Sequence, residues 1–75
     1  MSKLPVISGR EIIKALTKIG FTVVGRKGSH VRLKRRRGEE VLIVVVPIHS
    51  ELARGTLRSI LKQANLTVDD LLRLL

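Results

Sequence analysis

The N-terminal part of the chain has the spacing of an amphipathic helix. Apolar side chains recur every three or four residues, at Ile12, Ile13, Leu16 and Ile19, which places them on one helix face. Ser8 and Glu11 precede this run with the spacing of a capping box, in which each side chain accepts a hydrogen bond from the other residue's backbone N–H. Gly20 follows the last apolar position and suits a left-handed helix end. The pattern predicts a first helix with one buried face.

A two-residue periodicity follows this helix. Residues 21–26 are rich in β-branched side chains, and residues 30–36 alternate apolar with polar side chains beyond a turn at residues 27–29, which predicts a β-hairpin. Because successive side chains of a strand point to opposite faces, Val31 and Leu33 share one face. The other face carries His30, Arg32, Lys34 and Arg36. We therefore expect one sheet face to pack and the other to be basic.

A third strand is predicted over residues 41–46, between a turn at residues 37–40 and Pro47, which lacks a backbone N–H. This strand is apolar on both faces, although a strand covered on one side should alternate. We expect a partner protein or a second copy of the chain to cover the outer residues, with Val44 and Val46 as the partner interface. The alternative is that long arginine stems of the neighbouring strand shield them.

The C-terminal part is helical again. From Gly55 and Thr56 onward, apolar residues at Leu57, Ile60, Leu61 and Ala64 indicate a second amphipathic helix. Thr67 can cap a short last helix rich in leucine. A chain of 75 residues has room for one domain. The predicted fold class is α+β: a single domain over residues 1–75 with a helix, three antiparallel strands, a helix and a short C-terminal helix.

Charge indicates the class of partner. Fifteen Lys and Arg residues against six Asp and Glu give a net charge of +9, which favours a polyanion such as nucleic acid. With one Phe and no Tyr or Trp, platforms that stack bases are excluded, so recognition must depend on charge and shape. The longest apolar run is far below the roughly 20 residues of a membrane span, and the N-terminus lacks the apolar core of a signal peptide. We expect a cytoplasmic protein.

A metal centre is not expected. The chain has no cysteine, two histidines and six acidic residues, so a disulfide and a thiolate zinc site are both excluded. We therefore expect any catalysis to proceed without a metal or another cofactor.

The candidate chemistry centres on residues 26–33, where a basic glycine turn leads to His30. An imidazole can take up and release a proton near neutral pH, and neighbouring cations attract a phosphate, so His30 is a candidate general base or acid. Lys27 is a candidate for stabilising charge on a phosphorus centre, with a solvated turn residue as the alternative. Ser29 is expected to shape the turn rather than to act as a nucleophile.

A second histidine is expected at the same end of the sheet. A tight turn at residues 37–39 would set His30 opposite Val46, so His49 would emerge beside the glycine turn. The following loop leads to a helix N-terminus at Gly55, where free N–H groups favour an anion. His49 is thus a second candidate proton carrier, with a loop-shaping role as the alternative.

Residues of the glycine turn and basic residues along the second strand are the candidate RNA contacts. The residues expected to follow an RNA backbone are Arg26, Lys27, Gly28, Ser29, Arg32, Lys34, Arg35, Arg36 and Arg37. The alternative for the arginine run is ordinary solvated charge at a hairpin tip.

Three motifs together resemble the HicA toxin family. Gly28-Ser29-His30, Pro47-Ile48-His49 and residues 52–66 occur in the order and spacing of that family and span almost the whole chain. The resemblance implies a fold similar to a double-stranded-RNA-binding domain and a ribosome-independent endoribonuclease, or mRNA interferase, of a type II toxin–antitoxin system. It also implies mRNA as the substrate, neutralisation by a HicB-type antitoxin, and a catalytic histidine at His30.

Two other function classes stay open at this point. A non-catalytic double-stranded RNA-binding module would use the same basic surface but not His30. A structural basic protein would need the charge but not the glycine turn. Under the leading interpretation, His30 takes the proton from a ribose 2′-hydroxyl as that oxygen attacks the adjacent phosphorus. The sequence leaves a homodimer open.

Overall fold

The computed structural model describes residues 3–75, and its elements follow the predicted order. They are α1 (Gly9–Thr17), β1 (Thr22–Lys27), β2 (His30–Arg37), β3 (Glu40–Pro47), α2 (Arg54–Gln63) and α3 (Val68–Leu74). The strands form one antiparallel sheet in the order β1-β2-β3. The predicted α+β class is confirmed, with the layout of a double-stranded-RNA-binding-domain-like layer. Within the described range, no helix is both long and apolar enough to cross a membrane.

Two capping boxes fix the starts of α1 and α3. Ser8 Oγ accepts a hydrogen bond from the Glu11 N–H at 3.1 Å, and the Glu11 carboxylate accepts one from the Ser8 N–H at 3.0 Å. Thr67 and Asp70 repeat this arrangement at 3.0 and 2.9 Å. These bonds satisfy N–H groups that a helix start leaves without partners. The sequence signals for both helix starts are therefore confirmed.

Two glycine turns set the register of the sheet. Each hairpin loop has two residues, Gly28-Ser29 and Gly38-Glu39. The glycine comes first in each loop, with φ of 59° and 61°, a left-handed conformation that favours glycine in such hairpins. His30 consequently pairs with Pro47, one residue beyond the expected Val46.

This register corrects the expected partner interface. A shift of one residue moves every side chain of a strand to the other face. Val46 pairs with Val31 and Val44 with Leu33, and both β3 valines are 0% exposed in the core. Val44 and Val46 therefore do not form an accessible surface. The apolar residues left on the outer face of β3 are Val41, Ile43 and Val45, which are between 38% and 42% exposed.

The helices cover the sheet face that carries Val31 and Leu33. The core joins these two residues to apolar side chains of all three helices, among them Ile12, Leu16, Leu57, Ile60 and Leu71. Burying one such branched side chain contributes roughly 1.5–3 kcal/mol to the free energy of unfolding. The side chains on the opposite face stay mostly exposed, so that face is the open face of the sheet.

Gly9 brings the start of α1 against the end of β3. A Cβ at this position would collide with the Pro47 carbonyl oxygen, so only glycine allows the approach. The Gly9 N–H donates to the His49 carbonyl at 2.9 Å. This contact holds residues 47–49 against the helix, next to the glycine turn before His30.

Candidate functional site

The open face of the sheet carries a line of polar and cationic side chains along β2. His30, Arg32, Lys34 and Arg36 are exposed on this face, and we call them the open-face strip. Their cross-strand neighbours are Pro47, Val45, Ile43 and Val41 on β3, and Lys27, Gly25 and Thr22 on β1. None of these neighbours is acidic, so the positive charge of the strip is not neutralised across the strands. Such a surface attracts polyanions.

A groove of about 420 Å³ lies around His30 at one end of the strip. Its lining consists of Gly25, Arg26, Lys27, His30, Arg32 and Val45. Lys27 pairs with His30 across the strands, and Gly25 pairs with Arg32. The groove therefore combines one imidazole with cationic side chains. This arrangement can bind a phosphate and move a proton beside it.

Gly25 is a groove residue that sequence reasoning missed. Its backbone is not in the left-handed region, and a Cβ placed there meets nothing within 4 Å. Neither backbone strain nor packing therefore requires a glycine. The register of β1 shifts at this point, between Val23 and Gly25. A glycine inside a strand can mark a place where another molecule approaches the backbone, and here it leaves space beside Arg32.

Hydrogen bonds hold the turn that precedes His30. Arg26 Nε donates to the Gly28 carbonyl at 3.1 Å, and the Ile48 N–H donates to the Ser29 carbonyl at 2.7 Å. Neither Gly28 nor Ser29 lines the groove. These two residues contribute by fixing the direction in which β2 starts.

His49 reaches the same end of the sheet but not the groove. The hydrogen bond to the Ser29 carbonyl brings the loop beyond β3 to the glycine turn, and the His49 carbonyl accepts the Gly9 N–H. The His49 side chain is exposed and is absent from the groove lining. The start of α2 is also elsewhere, since Arg54 lines a separate cavity with residues 3–6. Of the groups expected to converge, the His30 imidazole and the Lys27 side chain line the groove, whereas the His49 side chain and the start of α2 do not.

The arginine run at the hairpin tip divides between the two faces. Arg36 belongs to the open-face strip, whereas Arg35 and Arg37 point to the helix side because side chains alternate along β2. Arg35 and Arg37 line a cleft together with residues of α3. The candidate RNA contacts therefore form two groups rather than one continuous line.

Metal-ligating side chains are dispersed over residues 3–75, where no three of the type His, Cys, Asp or Glu lie close enough to hold a metal ion. The groove lining has a single histidine and no carboxylate. Its hydrogen-bond donors and positive charge suit an anion rather than a hard cation, which prefers oxygen ligands.

Comparison with known protein families identifies the chain. A family model described as "HicA toxin of bacterial toxin-antitoxin" matches residues 9–66, from the start of α1 to the loop before α3. Comparison with curated proteins gives no match. The matched region includes both glycine turns, the groove and the loop with His49, and it confirms the resemblance seen in the sequence. The chain belongs to the HicA toxin family of bacterial toxin–antitoxin systems.

Proposed function

We propose that this HicA family member is an endoribonuclease that cleaves mRNA without a metal ion and uses His30 for proton transfer. The groove is the observation that carries the proposal. Its one imidazole lies beside Lys27 and Arg32, on a sheet face whose cross-strand neighbours include no acid. Cations in this arrangement attract RNA phosphates, and the imidazole can accept a proton next to them.

The proposed reaction is an intramolecular transesterification. His30 removes the proton from a ribose 2′-hydroxyl, and the oxygen forms a bond to the adjacent phosphorus. The bond from phosphorus to the 5′ oxygen breaks, and the leaving oxygen takes up a proton from solvent water. The products end in a 2′,3′-cyclic phosphate and a 5′-hydroxyl. Lys27 and Arg32 stabilise the negative charge that grows on the phosphorus oxygens.

The remaining candidate residues receive supporting roles in this proposal. Arg32, Lys34 and Arg36 bind the RNA backbone as it crosses the open face, with Arg26 and Lys27 at the groove. Gly28 and Ser29 position His30 through the turn. His49 is a loop residue, because its carbonyl anchors α1 and its side chain is outside the groove lining.

Membership of a toxin–antitoxin system implies a cognate antitoxin as partner. We propose that a HicB-type antitoxin covers the open face, where Val41, Ile43 and Val45 form an exposed apolar row beside the cations. Val45 also lines the groove, so a protein seated on this row blocks the way to His30. A homodimer through this face would set two cationic strips against each other, which disfavours it.

The test compares the parent protein, His30→Ala and His49→Ala on a long structured RNA in the presence of EDTA. We expect His30→Ala to lower the cleavage rate by about 10²–10⁴-fold, the usual contribution of a positioned proton carrier. His49→Ala should retain most of the activity, and circular dichroism should show all three proteins folded. Cleavage by His30→Ala at the parent rate contradicts the proposal. Binding of RNA without cleavage by the parent indicates a non-catalytic RNA-binding module instead.

A further inference from the structure

A second cationic site lies on the helix side of the sheet, towards the other end of β2 from His30. Arg35 and Arg37 of β2 and Arg73 of α3 line a cleft of about 690 Å³, which we call the arm cleft. Arg35 is half-buried, and its Nε lies 3.6 Å from the position that a Cβ of Gly20 would take. The Arg35 side chain therefore passes beside the turn after α1.

The arm cleft has more positively than negatively charged side chains. Of the described residues in its lining, Asp70 alone carries a carboxylate. One Asp70 oxygen accepts the Thr67 N–H at 2.9 Å, and the other lies 3.4 Å from an Arg73 nitrogen. The backbone and side-chain hydrogen bonds of Thr67 lower the pKa of Asp70, which keeps this carboxylate ionised and in place. Within residues 3–75, the guanidinium groups of Arg35 and Arg37 form no hydrogen bond or ion pair.

The arm cleft and the open-face strip share the end of β2. Pairing between β1 and β2 stops at Lys34, and the last three residues of β2 pair only with β3. Arg36 in this overhang points to the open face, whereas Arg35 and Arg37 line the cleft. About 10 Å of strand, at the usual rise per residue, thus carries guanidinium groups on both faces.

We propose that the arm cleft binds a backbone phosphate of the same RNA strand that is cleaved in the groove. The choice of RNA rests on the proposed function. The planar guanidinium fork matches the oxygens of a phosphate, and a cleft open to solvent at the end of a cationic strip admits a polymer. Arg35 lies roughly 17 Å from His30 along β2. The bound phosphate is therefore remote from the scissile bond and contributes to binding, not to the chemical step.

The test measures RNA binding in a His30→Ala background, so that the RNA stays intact. A fluorescent single-stranded RNA is titrated over a series of salt concentrations with the double variant Arg37→Gln, Arg73→Gln. These arginines are both exposed, so the fold should tolerate the changes. The matched control is Arg10→Gln, Arg58→Gln, which removes the same charge from exposed positions on α1 and α2. A third variant, Arg35→Lys, keeps the charge and removes the fork.

We expect the cleft double variant to bind about tenfold more weakly. The slope of log affinity against log salt should fall by about 0.7 for each phosphate that the variant no longer neutralises. The control variant should change both the affinity and the slope by less than the cleft double variant does. Arg35→Lys should weaken binding without changing the slope. With His30 intact, the cleft double variant should raise KM and leave kcat at the parent value.

Three outcomes overturn this inference. Equal reductions of affinity in the cleft and control variants would mean that only total charge matters. An unchanged RNA affinity with a weaker antitoxin complex would make the cleft a protein-docking site. A lower kcat at constant KM would place the arginines in the chemical step. Failure of the proposed function is recognised separately, because it is read from cleavage by His30→Ala and not from the salt dependence.

Discussion

The covered and the open face of the sheet differ most clearly along β2, where buried apolar residues alternate with exposed charged ones. Val31 and Leu33 face the helices and are 5% and 0% exposed, whereas Arg32 and Lys34 between and beside them are exposed. On the covered face, loss of a methyl group leaves a cavity. On the open face, the same strand presents charge to solvent and to a ligand. One strand thus supports stability with one set of side chains and the proposed RNA site with the other.

The largest effect on stability is expected from a pair of neighbouring substitutions on β2. Leu33→Ala should lower the free energy of unfolding by about 2–5 kcal/mol, because a fully buried leucine is truncated in a packed core. Lys34→Ala should change it by no more than about 0.5 kcal/mol. Urea denaturation followed by circular dichroism measures both values. Similar destabilisation at the two positions would remove the distinction between the faces.

The register of β3 gives a second, smaller contrast. Val44→Thr places a hydroxyl in the core and should cost roughly 1–3 kcal/mol of stability. Val45→Thr is on the open face and should leave stability within about 0.5 kcal/mol while weakening the complex with the antitoxin. Denaturation and a pull-down titration with the antitoxin measure the two effects. The opposite pattern would require the strand to be shifted by one residue.

Substitutions at Gly25 test whether RNA occupies the open face beside Arg32. Since a Cβ there meets nothing within 4 Å, Gly25→Leu should keep the fold and fill the space beside Arg32. We expect kcat/KM for RNA to fall roughly ten- to hundredfold, because the substrate is displaced from its position by the new side chain. Gly25→Ala serves as the milder control and should lie between the parent and Gly25→Leu. Activity unaffected by the leucine would exclude this part of the groove from substrate binding.

The smallest expected effect is on the pH dependence of stability. It concerns the charge of Asp70, on the covered side of the sheet. Hydrogen bonds from Thr67 lower the pKa of Asp70 in the folded protein, so the unfolded chain holds this proton more tightly. The stabilising contribution is therefore complete above the ordinary aspartate pKa of about 3.9 and is lost as the pH falls through the lower folded value. Asp70→Ala should be slightly less stable than the parent at pH 7, with the difference shrinking in acid. Urea midpoints between neutral and acidic pH measure this, and a constant difference would contradict the assignment.

Much of the fold can be predicted from the sequence because local signals determine it. The two capping boxes, the alternation in β2 and the glycine turns each depend on residues close together in the chain, and all of them occur in the structure. The predicted register of β3 is wrong because residues 37–40 are compatible with more than one loop length. A difference of one residue is enough to move Val44 and Val46 from the expected surface into the core.

The site is less predictable than the fold because it depends on relations between distant elements. His30 and the cations around it are visible as a motif, but the position of His49 outside the groove depends on how the loop after β3 meets α1. The open space at Gly25 lies at the shift in β1 pairing, which a glycine inside a strand can mark but whose register depends on pairing with β2. The arm cleft needs α3 to lie near the end of β2, and the cleft lining brings together residues far apart in the sequence.

The end groups of the RNA fragments test the central claim most directly. The parent protein and His30→Ala are incubated with a defined RNA in EDTA, and the new termini are identified by mass spectrometry. The account predicts 2′,3′-cyclic phosphate and 5′-hydroxyl ends from the parent and almost no fragments from His30→Ala. Fragments with 5′-phosphate ends, or cyclic phosphate ends formed equally fast by His30→Ala, would contradict it.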